Sequence, residues 1–195
     1  MESQSYNKVS TVDGSKGATG MSRTVSKCDL VLRVLAMLLT LAAAIVLGVN
    51  KQTKVVPIQI TPTLPSINVA AQAKWQYLSA YVYFMVSNII ACSYAAISMP
   101  IVLGTRNGKM GLAQIIIVLD LVMVGLLFSG NGAAMAIGLM AYKGNSHVRW
   151  NEVCNVFDKF CDHAAVSLVL SLVGSLGFMA LAAIAALTTH KRYAK

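Results

Sequence analysis

An aspartate lies inside the apolar stretch IIIVLDLVMVGLLFSGNGAA, with aliphatic residues on both sides. A carboxylate so placed, Asp120, has two chemical uses. It is either a proton relay or cation site of a transporter, or one half of a buried pair that fixes helix order. The matching cation is Arg33, in CDLVLRVLAMLLT. Asp29, four residues before Arg33 on the same helix face, competes for the guanidinium, and Arg33 can bridge both acids. Cys154 and Cys161 stand seven residues apart in VRWNEVCNVFDKFCDH, a spacing suited to a short internal disulfide in an oxidising compartment. His147, His163 and His190 are scattered. His163 beside Asp162 has the makings of a base, but no nucleophile or oxyanion donor accompanies it. The sequence contains no phosphate-binding glycine loop, HExxH, nucleophile elbow or clustered zinc ligands. The chain is therefore expected to be no enzyme and to need no cofactor or metal.

The elements that must hold these residues are apolar. Hydrophobic residues make up 56% of the chain, mean hydropathy is +0.66, and both exceed what a soluble domain carries. Four apolar runs, near 30–49, 77–103, 112–141 and 163–187, each supply the roughly 20 residues that cross a hydrocarbon core. None alternates as a barrel strand does, so helices are the reading that satisfies every backbone amide in lipid. The fold class is all-α, a four-transmembrane-helix bundle in one membrane domain over 28–192. A disordered cytoplasmic tail over 1–27, poor in large apolar side chains, precedes it, and a cytoplasmic C-terminal tail covers 188–195.

Arg33 lies about one turn into the first span and Asp120 about two turns into the third from the same side. A lone charge at that depth costs about 3 kcal/mol on insertion scales, so the two are predicted to face each other. Asn88, Gln114 and Asn131 are the other strongly polar side chains within the spans, too dispersed to trace a path. Inverted repeats, a mark of transporters, are not evident.

Basic residues set the orientation. The tails and middle loop carry nine, Lys8, Lys16, Arg23, Lys27, Arg106, Lys109, Lys191, Arg192 and Lys195, against Glu2 and Asp13. The two remaining loops carry six basic residues and three acids. Both termini are thus expected in the cytoplasm. The net charge of +9 is spread over both faces, which favours anionic lipid over nucleic acid as its partner. Cys28, beside Lys27 at the membrane edge, is either a free thiol or a palmitoylation site.

The first outer loop holds Pro57, Pro62 and Pro65, which favour an extended segment, with a short edge strand as the alternative. Trp75, Tyr77, Tyr81 and Tyr83 then gather where the second span meets the outer headgroups. Pro100 is expected to kink or end that span near its inner end. In the second outer loop Trp150, Phe157 and Phe160 surround the cysteine pair and suggest compact apolar packing. Small residues recur every four positions in the third span, as Gly125, Ser129 and Ala133 and as Gly130, Ala134 and Gly138. The fourth span repeats the pattern with Ser167, Ser171 and Ser175, beside Gly174 and Gly177. Such stripes let backbones approach closely, within one bundle or between protomers.

Taken in order, these residues resemble the plant Casparian-strip membrane proteins and their CASP-like relatives, and more distantly MARVEL-like four-span proteins. The resemblance rests on Arg33 in the first span, Asp120 in the third, Trp150, Cys154, Phe157, Phe160 and Cys161 in the second loop, and AKWQYLSAYVYFMVSNIIACSYAAIS entering the second span. The first loop lacks the aromatic-rich nine-residue signature of the strip-building members, which points to a CASP-like member. The resemblance implies a multi-pass plasma-membrane scaffold that forms homo- and heteromers, homodimers and heterodimers among them, with itself and related CASP-like proteins. It also implies recruitment of cell-wall or apoplastic proteins. The rival reading is a small transporter or channel using Asp120.

Overall fold

The computed structural model describes residues 10–58, 67–104, 110–145, 147 and 151–193. Four long helices follow in order, α1 (Ser10–Gly48), α2 (Ser79–Gly104), α3 (Met110–Lys143) and α4 (Asp158–Tyr193). Each contains a stretch long and apolar enough to cross a membrane: Lys27–Gly48, Ser79–Gly104, Gln114–Lys143 and Asp158–His190. α1 packs on α4 and α2, and α3 on α4 and α2, which closes a ring of four.

The polarity is inverted relative to a soluble bundle. Val31, Leu35, Leu38, Ile45, Val118 and Leu121 are exposed, while Arg33, Thr40, Asn88, Asp120, Asn131 and Ser171 are buried. Lipid is as apolar as leucine, so nothing drives leucines inward, and polar groups find hydrogen-bond partners only inside. This inversion is why the apolar runs identify the spans, but not their inner faces.

α1 starts at Ser10, well before its span at Lys27. Extending an existing helix adds one bond per residue fixed, without the cost of a new nucleus. Pro100 departs from expectation in one respect, because α2 continues through it to Gly104. The proline lies four residues from that end, where a single missing amide leaves the helix intact. α3 stops at Gly144, whose φ of 65° lets its amide cap Met140 O at 2.9 Å. Residues 105–109, with Arg106 and Lys109, lie outside the described residues.

Between α1 and α2 lies a two-stranded antiparallel sheet, β1 (Lys51–Ile58) on β2 (Ile67–Lys74), in the register Lys51↔Lys74, Val55↔Ala70 and Ile58↔Ile67. Both strands of such a sheet have a free edge, which is the setting that tolerates Pro57 in β1. Pro62 and Pro65 lie outside the described residues. One 3-10 turn, Trp75–Tyr77, returns the chain to α2.

Candidate functional site

At the end of the bundle nearest the chain termini, Arg33 draws three helices together. It is 1% exposed and Asp120 0%. The guanidinium grips the carboxylate bidentately, Nη2 to Oδ2 at 2.9 Å and Nη1 to Oδ1 at 3.2 Å. This is the strongest geometry open to the pair. Nη1 also donates to Ser98 Oγ on α2 at 3.0 Å, and Nε to Asp29 Oδ2 one turn back on α1 at 3.3 Å. Tyr94 Oη on α2 lies 2.7 Å from Asp120 Oδ1 and 3.2 Å from Ile116 O. The fourth helix supplies a wall, with the Phe178 ring 6.2 Å from that of Tyr94.

Four of the five guanidinium donors are engaged, and both carboxylate oxygens accept. Arg33 bridges both acids. Tyr94 and Ser98 are not singled out by the sequence pattern, although a signal exists. They stand four apart on α2, at the depth of Arg33 and far from the aromatic belt, where a tyrosine hydroxyl in lipid needs a buried acceptor.

At the other end the loop between α1 and α2 is fastened to the loop between α3 and α4. Cys154 and Cys161 form a disulfide with Cα atoms 5.7 Å apart. Phe157 and Phe160 are buried in the apolar cluster at this end, and Phe160 meets Tyr81 edge to face at 6.1 Å. Trp150 lies outside the described residues. The amides of Val153 and Cys154 both donate to Ala141 O, at 2.8 and 3.2 Å, so the second loop folds back onto the end of α3.

The sheet is bolted to the start of α4. Asn50 Nδ2 donates to Phe160 O at 2.8 Å, Phe160 N to Gln52 Oε1 at 2.9 Å, and Gln52 Nε2 to Asp158 Oδ1 at 3.0 Å. Lys54 Nζ reaches the same Asp158 oxygen at 3.0 Å, though that pair is well exposed and adds little by itself. Trp75 Nε1 donates to Gly48 O at 3.1 Å. His163, the candidate base, has Nδ1 2.7 Å from Lys159 O of its own helix. Its ring is thus occupied locally, and among the described residues no three metal-ligating side chains gather.

The small-residue stripes separate by direction. Gly130, Ala134 and Gly138 face α2: a Cβ on Gly130 would lie 3.1 Å from Ser87 Oγ, and one on Gly138 would lie 3.5 Å from Tyr81 Oη. Ser167, Ser171 and Ser175 are buried, and a Cβ on Gly174 would lie 3.1 Å from Thr40 Cγ2 of α1. The stripe of Gly125, Ser129 and Ala133 turns outward. A Cβ on Gly125 or on Gly132 meets nothing within 4 Å, Ser129 is exposed, and Ala133 is half-buried. Tyr83 Oη, donating to Ser129 Oγ at 3.2 Å, ties this face to α2.

Gly130→Leu should therefore lower stability by about 1 to 3 kcal/mol through overpacking, read as a lower thermal midpoint in detergent. An unchanged midpoint would refute the close approach of α2 to α3.

Residues 22–177, which reach into all four helices and include the sheet and the disulfide loop, match the Casparian strip membrane protein domain. The chain belongs to that family. It is 57% identical over 194 residues to a CASP-like protein 1E1 of Populus trichocarpa, covering 98% of this chain and 99% of that one. A CASP-like protein 1E2 of Vitis vinifera is 61% identical over 165 residues, 85% of each chain. A CASP-like protein 1E1 of Arabidopsis thaliana is 50% identical over 188 residues, 96% of this chain and 98% of that one. No solved structure matches it. As a CASP-like membrane protein it carries the Arg33–Asp120 clasp and the Cys154–Cys161 loop entirely within the matched domain.

Proposed function

We propose that the protein is a non-enzymatic plasma-membrane scaffold that self-associates through the outward face of α3 and presents its fastened outer loops to cell-wall or apoplastic proteins. Both termini then lie in the cytoplasm. The observation that carries this reading is the contrast between the two stripes of α3, one filled by α2 at Gly130 and one with open space at Gly125. In a bilayer, a face of small residues lets a second helix approach closely, and dispersion then holds the pair. Partners are further copies of this chain and related CASP-like proteins.

Two features weigh against transport. Asp120 is fully engaged by Arg33 and Tyr94, and apolar clusters lie on both sides of the bundle centre. A relay needs a carboxylate free to exchange its proton or cation.

The test is Gly125→Leu in a tagged copy expressed in plant plasma membrane. Energy transfer between donor- and acceptor-tagged copies should fall to the level of an unrelated four-span protein, and recovery after photobleaching should quicken. Thermal stability should hold, because the added side chain meets only lipid. Unchanged energy transfer would remove α3 as the interface. A wild-type protein that already diffuses freely as a monomer would end the scaffold reading. Asp120→Asn separates the rival: a transporter would be made and targeted yet lose flux, whereas a scaffold loses assembly.

A further inference from the structure

The buried core is not continuous. Its apolar residues form two clusters, an outer one around Leu47, Phe84 and Phe160 and an inner one around Leu127, Phe178 and Leu181. Between them the buried side chains are polar: Ser87 and Asn88 on α2, Asn131 on α3 and Ser171 on α4. A polar layer at mid-membrane is costly unless each group is paired. Most of it is paired. Ser87 Oγ donates to Tyr83 O at 2.8 Å, Asn88 Nδ2 to Phe84 O at 2.9 Å, and Asn131 Nδ2 to Leu127 O at 2.9 Å and Ser171 Oγ at 3.0 Å.

Two atoms are the exception. Asn88 Oδ1 and Asn131 Oδ1 are buried, with no partner among the described residues. Exchanging nitrogen for oxygen in either amide would not relieve this, because each nitrogen faces a backbone carbonyl that only accepts. Both oxygens therefore need a donor from elsewhere.

The helix geometry places them together in depth. α2 and α3 run antiparallel and close at Ser87 and Gly130, and each asparagine is the next residue. Stepping one residue in opposite directions separates them by about 3 Å along the axes. Their surroundings, Ser87, Gly130 and Ser171, are small.

We infer that this layer is a binding site for water, which donates to Asn88 Oδ1 and Asn131 Oδ1 and so links α2 to α3 at mid-membrane. Water supplies two donors to two acceptors. A metal cation does not fit as well, since no carboxylate shares the layer. Asp120, eleven residues along α3, is about 16 Å away and already neutralised by Arg33. The apolar clusters above and below enclose the water and keep it from forming a conduit. The water site stands whether or not the protein is a scaffold.

The test is nuclear magnetic resonance of the full chain, labelled with ¹⁵N at asparagine, in nanodiscs. The side-chain amides of Asn88 and Asn131 should show cross-relaxation to water with the sign of a bound molecule. Asn88→Leu and Asn131→Leu assign the signals, with Asn→Ser at the same positions if a leucine variant fails to fold. Asn131→Leu should also at least halve the water signal at Asn88. Absence of water contact at both amides would overturn the inference. So would a scalar coupling that shows the amides bonded directly to each other, or a shift of both signals on replacing sodium by potassium, which would assign the layer to a cation.

Discussion

Asp120→Ala is expected to destabilise the bundle by about 3 to 5 kcal/mol. The charge left behind matters more than the missing bonds. Arg33 is 1% exposed, and without Asp120 its guanidinium keeps Ser98 and the half-buried Asp29 but lacks a buried counter-charge. The measurement is thermal unfolding of the purified protein in detergent, with yield as a second readout. Arg33→Met combined with Asp120→Leu should lie closer to wild type than either single change, because removing both charges also removes the desolvation cost. If the double variant is as unstable as the sum of the two singles, the clasp does not act as a coupled pair. An unchanged midpoint in Asp120→Ala would sink the clasp altogether.

Cys161→Ser comes second. The bridge closes a loop of seven residues, and loop-closure entropy assigns it about 2.4 kcal/mol. Its loss should also release the amides of Val153 and Cys154 from Ala141 O, seen as faster hydrogen exchange over 151–157. Reductant applied to the wild type should reproduce both effects, and a wild type indifferent to reductant would refute a stabilising bridge. The loop matters beyond its own energy, since Phe160 is gripped through both backbone groups, by Asn50 and Gln52. A loosened disulfide therefore loosens the sheet.

How much of this is legible in the sequence follows from what the solvent demands. Apolar length marks the four spans because lipid leaves the backbone no other option. The pairing of Arg33 with Asp120 is readable from depth, because a charge in lipid must find its complement at the same level. Tyr94 and Ser98 are fainter, because a hydroxyl in lipid asks for an acceptor but does not say on which helix it lies. The direction of the small-residue stripes is not readable. Gly125 and Gly130 are equally small, and only the rotation of α3 about its axis decides which one meets Ser87.

The pairing of β1 with β2 is hidden by the prolines. Pro57 weakens a strand pattern, and the bonds that seat the sheet on α4 come from Asn50, Gln52 and Lys54, more than a hundred residues from their partners. Nothing local to those residues announces a partner. The family resemblance, by contrast, is legible because its marks in the first three spans and the second loop occur together and in order.

The clasp also has a history within each molecule's synthesis. Arg33 and Asp120 are 87 residues apart, and a ribosome adding about 5 to 20 residues per second delivers the aspartate roughly 4 to 17 s after the arginine. During that interval the first helix must hold a guanidinium at the edge of the hydrocarbon without its final counterion. Asp29 is already there, one turn back on the same helix. The acid that contributes less to the finished bundle is thus the one that escorts the nascent first helix until the third arrives.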